Sequence, residues 1–192
     1  MKIAVLDIET CGMNPNIDPF VEIGICLLDM EKGTYEKLLD TPVHEKHFSI
    51  EKHGKSWIFI VSTLTSEQVM SAPTWEDIAP RVKEIAEQYT MTSYNKGFDL
   101  GFLSARGIVP KRTAPDPMLL CTDILKIPHS FYGIKYPALE ESWKHFFGDE
   151  APYKEQHRAY DDAFHEAMLI QMMNARGLYS TLGKTRSTIY GY

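Results

Sequence analysis

The sequence predicts an α/β domain, a mixed central sheet flanked by helices, from the order of its elements. Strand-like apolar segments come first, at residues 2–8, at Phe20–Asp29 and within 35–50, and short strands then alternate with amphipathic helices. The size agrees: 192 residues with 44% hydrophobic side chains suit one domain with a sizeable core.

Each element has its own signal. Residues 2–8 read as a buried strand, in which Ile3 and Val5 share a face with Asp7 and Glu9 because side chains alternate. Two carboxylates therefore project together from its C-terminal end. Phe20–Asp29 is the second strand, turn residues follow at 29–33, and a third strand within 35–50 completes an antiparallel meander. Residues 50–69 read as a loop carrying a short helix. Thr74 then caps a helix with Glu76 and Asp77 in its first turn and an apolar stripe of Ile78, Val82, Ile85 and Ala86. Residues 90–94 form a short strand ending before Asn95, and 100–106 form a helix stopped by Gly107. The apolar run 118–124 is a strand candidate. Helices follow at 137–147, ending at Gly148, and at 161–175, ending at Gly177. The predicted domain is 1–178, with a polar C-terminal tail at 179–192.

Composition bounds the function. Cys11, Cys26 and Cys121 form no CxxC pair and are odd in number, which argues against a disulfide framework and for a reducing cytoplasm. The N-terminal apolar run is too short for a signal peptide and is interrupted by Asp7 and Glu9. No apolar stretch approaches a membrane span. The histidines have no ligand spacing with the cysteines, so no zinc site is expected. The net charge of −6 argues against extended duplex binding, since phosphate contacts favour basic surfaces. Bound divalent cations would offset part of it, and short or single-stranded ends need little footprint.

The chemistry lies in four carboxylates and a histidine spread over three motifs. These are Asp7-Ile8-Glu9-Thr10, Asn95-Lys96-Gly97-Phe98-Asp99 and His157-Arg158-Ala159-Tyr160-Asp161-Asp162. Each has a bland alternative: Asp7 and Glu9 as solvated strand-end acids, Asp99 as a helix N-cap, and His157 as a surface histidine. Asp161 and Asp162 are rivals, because consecutive helical positions point about 100° apart and only one can face a site. His165 and Glu166 can stand behind such a site, although a solvated helix face is the simpler reading. If the acids gather, their repulsion calls for cations, and hard oxygen ligands suit Mg²⁺ or Mn²⁺. Two such ions are a common device for phosphodiester cleavage, and a neighbouring histidine can take a proton from water.

Taken together and in order, the motifs resemble those of the DEDD superfamily of 3′–5′ exonucleases. The resemblance is to the histidine branch, similar to the polymerase III proofreading subunit, RNase T and oligoribonuclease. The Asp-x-Glu motif is matched by Asp7 and Glu9, Asn-x-x-Phe-Asp by Asn95, Phe98 and Asp99, and His-x-Ala-x-x-Asp by His157, Ala159 and Asp162. The tyrosine branch is excluded, because its tyrosine position is occupied by Arg158. The resemblance implies a ribonuclease H-like fold and two divalent cations, Mg²⁺ or Mn²⁺, held by Asp7, Glu9, Asp99 and Asp162. It selects Asp162 over Asp161 and makes His157 the general base. It also implies substrate contacts at Thr10, Met13, Asn95 and Phe98, with Met13 standing where relatives often have leucine. The expected activity is removal of nucleoside 5′-monophosphates from 3′-terminal or single-stranded nucleic acid. The alternative is an accessory, non-catalytic proofreading-type module on a DNA polymerase.

Overall fold

The computed structural model describes residues 1–131 and 133–180. Its sheet begins with an antiparallel meander of β1 (Lys2–Thr10), β2 (Phe20–Asp29) and β3 (Thr34–Pro42). Three short helices follow, α1 (Ile50–His53), α2 (Ile58–Val61) and α3 (Ser66–Met70), where one was expected. Helix α4 (Trp75–Gln88) leads into β4 (Thr90–Thr92), which pairs parallel to β1. The strand order is β3-β2-β1-β4, so the sheet is mixed and β1 is internal. Beyond β4 the backbone at Met91 makes one further parallel bridge, to Thr113. Helices α5 (Lys96–Ala105) and α6 (Pro117–Leu125) come next, then a two-stranded hairpin of β5 (Pro128–His129) and β6 (Gly133–Ile134). Helices α7 (Leu139–Phe147) and α8 (Ala159–Ala175) complete the described part.

The alternation of β1 divides the core into two layers. Ala4, Leu6 and Ile8 face α4 and α5, packing with Ile78, Val82, Ile85, Phe102 and Leu103. Ile3 and Val5 face the other side, packing with Ala163, Ala167 and Ile170 of α8 and with Cys121, Leu139 and Phe146. Asp7 and Glu9 continue this second face, so the helix that covers it is the helix that begins with the third motif. Helix α4 starts as expected: Thr74 accepts from the Asp77 N–H, and the Asp77 carboxylate accepts from the Thr74 N–H in return.

Three expectations change. The run 118–124 is helical, not a strand. Asp116 accepts from the Met118 N–H and Pro117 occupies the first helical position, a start signal that outweighs a short apolar run whose periodicity is ambiguous. Helix α5 starts at Lys96, so Asp99 lies inside it and is not its cap; Asn95, at φ 67°, occupies that position. Helix α8 starts at Ala159, which leaves Asp161 as a first-turn acid. Of the expected tail, residues 181–192 lie outside the described residues. Tyr179 is buried and donates its hydroxyl to the Pro115 carbonyl at 2.8 Å.

Candidate active site

Three backbone features bring the motifs to one end of β1. The first is β1 itself, whose alternation aims Asp7 and Glu9 at α8. The second is the exit from β4. The chain passes from Thr92 to Asn95, whose left-handed backbone turns it into α5 and sets Asp99, 2% exposed, in that helix's opening turns. The third is the start of α8, where Asp162 is 1% exposed.

His157 also has a left-handed backbone, at φ 51°. Its place is held from the neighbouring residue. Arg158 donates through Nε and Nη2 to Glu22 of β2 at 2.6–3.1 Å and through Nη1 to Thr63 at 2.9 Å. The Ala159 N–H also donates to Glu22, at 2.9 Å. Gly24 lets α8 approach this closely, since a Cβ there would lie 2.2 Å from the Tyr160 backbone nitrogen. The Trp57 ring stands edge-on to the His157 ring, with centroids 4.7 Å apart.

Ligand atoms of Glu9, His157 and Asp162 lie within 4.8 Å of one another. Asp7 and Asp99 stand outside this tight group, yet their charges act on it. Burial holds the Asp7 carboxyl well above the usual carboxylate range, and the charges of Asp99, Glu166, Glu9 and Asp162 push the same way. Burial likewise raises Glu9, with Asp162 and Glu22 adding to it. Burial pushes Asp99 up to about 8, and also raises Asp162 against hydrogen bonds from Tyr153 and the Arg158 backbone. Nearby cations are committed elsewhere: Arg158 to Glu22, and Lys96 to the Ala114 carbonyl at 2.8 Å. Converging buried carboxylates beside an imidazole are a hard, anionic donor set, which fits hard divalent cations better than soft metals.

The residues expected to contact substrate have defined local surroundings. Met13 is 77% exposed, on a loop whose Pro15 and Asp18 carbonyls accept from Arg106. Asn95 is exposed, and Phe98 packs on Phe102 with ring centroids 5.0 Å apart. The Thr10 hydroxyl donates to the Gly12 carbonyl at 2.7 Å, which closes the turn after β1. The Asp161 carboxylate lies 3.4 Å from His165 Nδ1, outside the group formed by Glu9, His157 and Asp162.

Sequence reasoning undervalued one carboxylate and missed another. Glu166 stands behind the site, not on the solvated face that is the simpler reading of its position: it is 2% exposed and accepts the Tyr94 N–H at 3.0 Å. Its position one turn after Asp162 was the available signal, because residues four apart share a helix face. His165 is no solvated face either; its ring stacks on Tyr153 at 4.2 Å. Glu155, in the loop before His157, is pushed up to about 7 by burial and by the charges of Asp162 and Glu140.

The sequence matches the RNase T exonuclease family model over residues 4–170. The chain belongs to the RNase T exonuclease family. Enzymes of this family generally depend on divalent metals. Among curated relatives, the PolC-type DNA polymerase III of Caldanaerobacter subterraneus subsp. tengcongensis is 25% identical over 166 residues, 84% of this chain. The chain spans 11% of that polymerase's length. The structure resembles that of a full-length 3′-exonuclease, with a TM-score of 0.70, 16% identity, and 93% of this chain and 62% of the other covered. It also resembles the nuclease domain of 3′hExo, a DEDDh family member bound to rAMP, with a TM-score of 0.67, 16% identity, and 96% and 97% covered. These likenesses establish the fold, that of the ribonuclease H-like exonucleases. Among the described residues no helix is long and apolar enough to cross a membrane.

Proposed function

We propose that this chain is a metal-dependent 3′–5′ exonuclease that releases nucleoside 5′-monophosphates from single-stranded or 3′-terminal nucleic acid. One observation carries the reading: three separated motifs deliver four acids and one histidine to the same end of β1, where Glu9, His157 and Asp162 offer ligand atoms within 4.8 Å of one another.

In this reading Asp7, Glu9, Asp99 and Asp162 would hold two Mg²⁺ or Mn²⁺ ions, which would neutralise charge at the scissile phosphate and ease ionisation of water. His157 takes the proton of the attacking water. The water oxygen bonds to phosphorus, the phosphorus–O3′ bond breaks, and the departing O3′ takes a proton from solvent, which leaves the shortened strand with a 3′ hydroxyl. Trp57 and the Glu22–Arg158 pair hold the histidine in reach. Met13 packs against the terminal base, and Thr10, Asn95 and Phe98 line the approach.

A non-catalytic accessory module is the weaker reading, because the acids and His157 come together rather than scatter. A polymerase partner is supported by the PolC-type relatives, in which the matching stretch belongs to a much longer polymerase. Co-purification with a polymerase tests it. A cytoplasmic setting is supported by the three free cysteines.

Matched single-stranded DNA and RNA oligomers with Mg²⁺, Mn²⁺ or EDTA test the central proposal. The expected result is stepwise loss from the 3′ end, abolished by EDTA and slowed by a blocked 3′ terminus. Cleavage of a circular single strand, or a rate indifferent to chelator, would overturn it.

A further inference from the structure

The carboxylate of Asp162 is held from two sides. Its Oδ2 accepts the Arg158 backbone N–H at 3.0 Å, and its Oδ1 accepts the hydroxyl of Tyr153 at 2.6 Å. Tyr153 lies outside all three motifs, in the loop that joins α7 to His157. A phenol donating to a carboxylate makes a short, charge-assisted bond, and a carboxylate oxygen that accepts one proton keeps a lone pair for another partner. Tyr153 can therefore orient Asp162 without competing for its remaining coordination.

The tyrosine is itself well placed. Its ring stacks on His165 of α8 at 4.2 Å and leans on Trp143 of α7 at 5.1 Å. Trp143 Nε1 donates to the Ala151 carbonyl at 2.7 Å, and the Glu155 N–H donates to Glu140 Oε1 at 2.9 Å. The loop is thus tied to α7 on both sides of Tyr153. Rings from two helices fix the phenol, and the phenol fixes the carboxylate.

We infer that Tyr153 is a positioning residue for metal binding, which presets the Asp162 carboxylate beside Glu9 and His157. The inference rests on the reading of Asp162 as a metal ligand. Partners that orient a ligand in this way are worth about 10–100-fold in metal affinity or activity.

Tyr153→Phe is the test, because it keeps the ring stack and removes only the hydroxyl. Mn²⁺ binding by the full chain is measured by calorimetry for wild type, Tyr153→Phe and Asp162→Asn, alongside exonuclease turnover over a Mn²⁺ titration. The expected result is Mn²⁺ affinity weakened by about 10–100-fold in Tyr153→Phe, with most turnover restored at saturating Mn²⁺. A purely structural role would lower thermal stability without this split between metal affinity and saturated turnover. If Asp162→Asn weakens Mn²⁺ binding and Tyr153→Phe does not, the positioning role falls alone. If neither variant changes Mn²⁺ binding, the reading of Asp162 as a ligand falls and takes the positioning role with it.

Discussion

Glu22 and Arg158 form a forked ion pair, with Arg158 Nη2 2.6 Å from Glu22 Oε1, that ties the second sheet strand to the residue beside the candidate general base. Glu22 is 1% exposed, so its charge relies on Arg158 and on the Ala159 N–H. Removing one partner of a buried pair leaves an uncompensated charge and costs about 3–5 kcal/mol. Arg158 is partly exposed, so the low end applies. Arg158→Leu should lower unfolding stability by about 3 kcal/mol and reduce turnover by displacing His157. Arg158→Lys, which cannot reproduce the fork, should fall between. Urea denaturation and single-turnover rates check this, and wild-type values in Arg158→Leu would remove the pair from the account.

Gly24→Ala tests the contact between β2 and α8. The added methyl would meet the Ala159 carbonyl carbon at 2.3 Å and the Tyr160 nitrogen at 2.2 Å, and both are backbone atoms. Overpacking of this kind costs about 1–3 kcal/mol. The loss should appear in thermal unfolding and, through Asp162, in Mn²⁺ affinity. An unchanged melting temperature would show that the helix lifts off the strand freely.

The metal-free protein should lose stability as pH rises. Burial raises Asp7, Glu9, Asp99 and Glu166, with Asp99 reaching about 8, whereas an unfolded aspartate titrates near 4. Between those limits the folded state binds more protons than the unfolded one. The contribution of these groups is therefore fully present below pH of about 4 and is lost as pH climbs to about 8. With EDTA, the melting temperature should be lower at pH of about 8.5 than at about 6, and Mg²⁺ or Mn²⁺ should narrow the gap. A melting temperature that rises across this window in EDTA would contradict the charge arrangement. Asp7→Asn should raise the metal-free melting temperature at the higher pH while abolishing turnover.

Asp162→Asn and Asp161→Asn should separate widely. Asp162 is 1% exposed and adjoins Glu9 and His157, whereas Asp161 turns toward His165. Losing one electrostatic contributor at a reacting centre costs on the order of 10²–10³-fold. That loss is expected for Asp162→Asn, with Asp161→Asn near wild type in rate. Equal losses at saturating Mn²⁺ would reverse the assignment.

His157→Ala should bind metal and substrate yet lose about 10²–10⁴-fold in turnover, the worth of a positioned general base. Comparing the variant's pH–rate profile with that of wild type is decisive, since water ionisation contributes to both. Wild-type turnover by His157→Ala through the neutral range would assign the proton to another acceptor.

The elements that position the site were legible where periodicity and caps agreed. The alternation of Ile3, Val5, Asp7 and Glu9 put both acids on the face that α8 covers, and Thr74 marked the start of α4. The run 118–124 was misread because seven apolar-rich residues suit either element, and the deciding Asp116-Pro117 pair lies just before it. Glu166 and Tyr153 escaped for a different reason. Burial of an acid four residues after Asp162 depends on where the β4–α5 turn sits, and the reach of Tyr153 depends on how a loop folds against Trp143. Both are long-range facts that no local pattern carries.

The acids of this site come from opposite ends of the described chain, Asp7 on the first strand and Asp162 on the last helix. A ribosome-bound chain therefore displays Asp7 and Glu9 long before Asp162 emerges. Until α8 docks on β1, no folding intermediate gathers all four of the acids proposed as ligands. Under the proposed function, activity therefore waits on the docking of α8, and a product truncated before α8 would be inert.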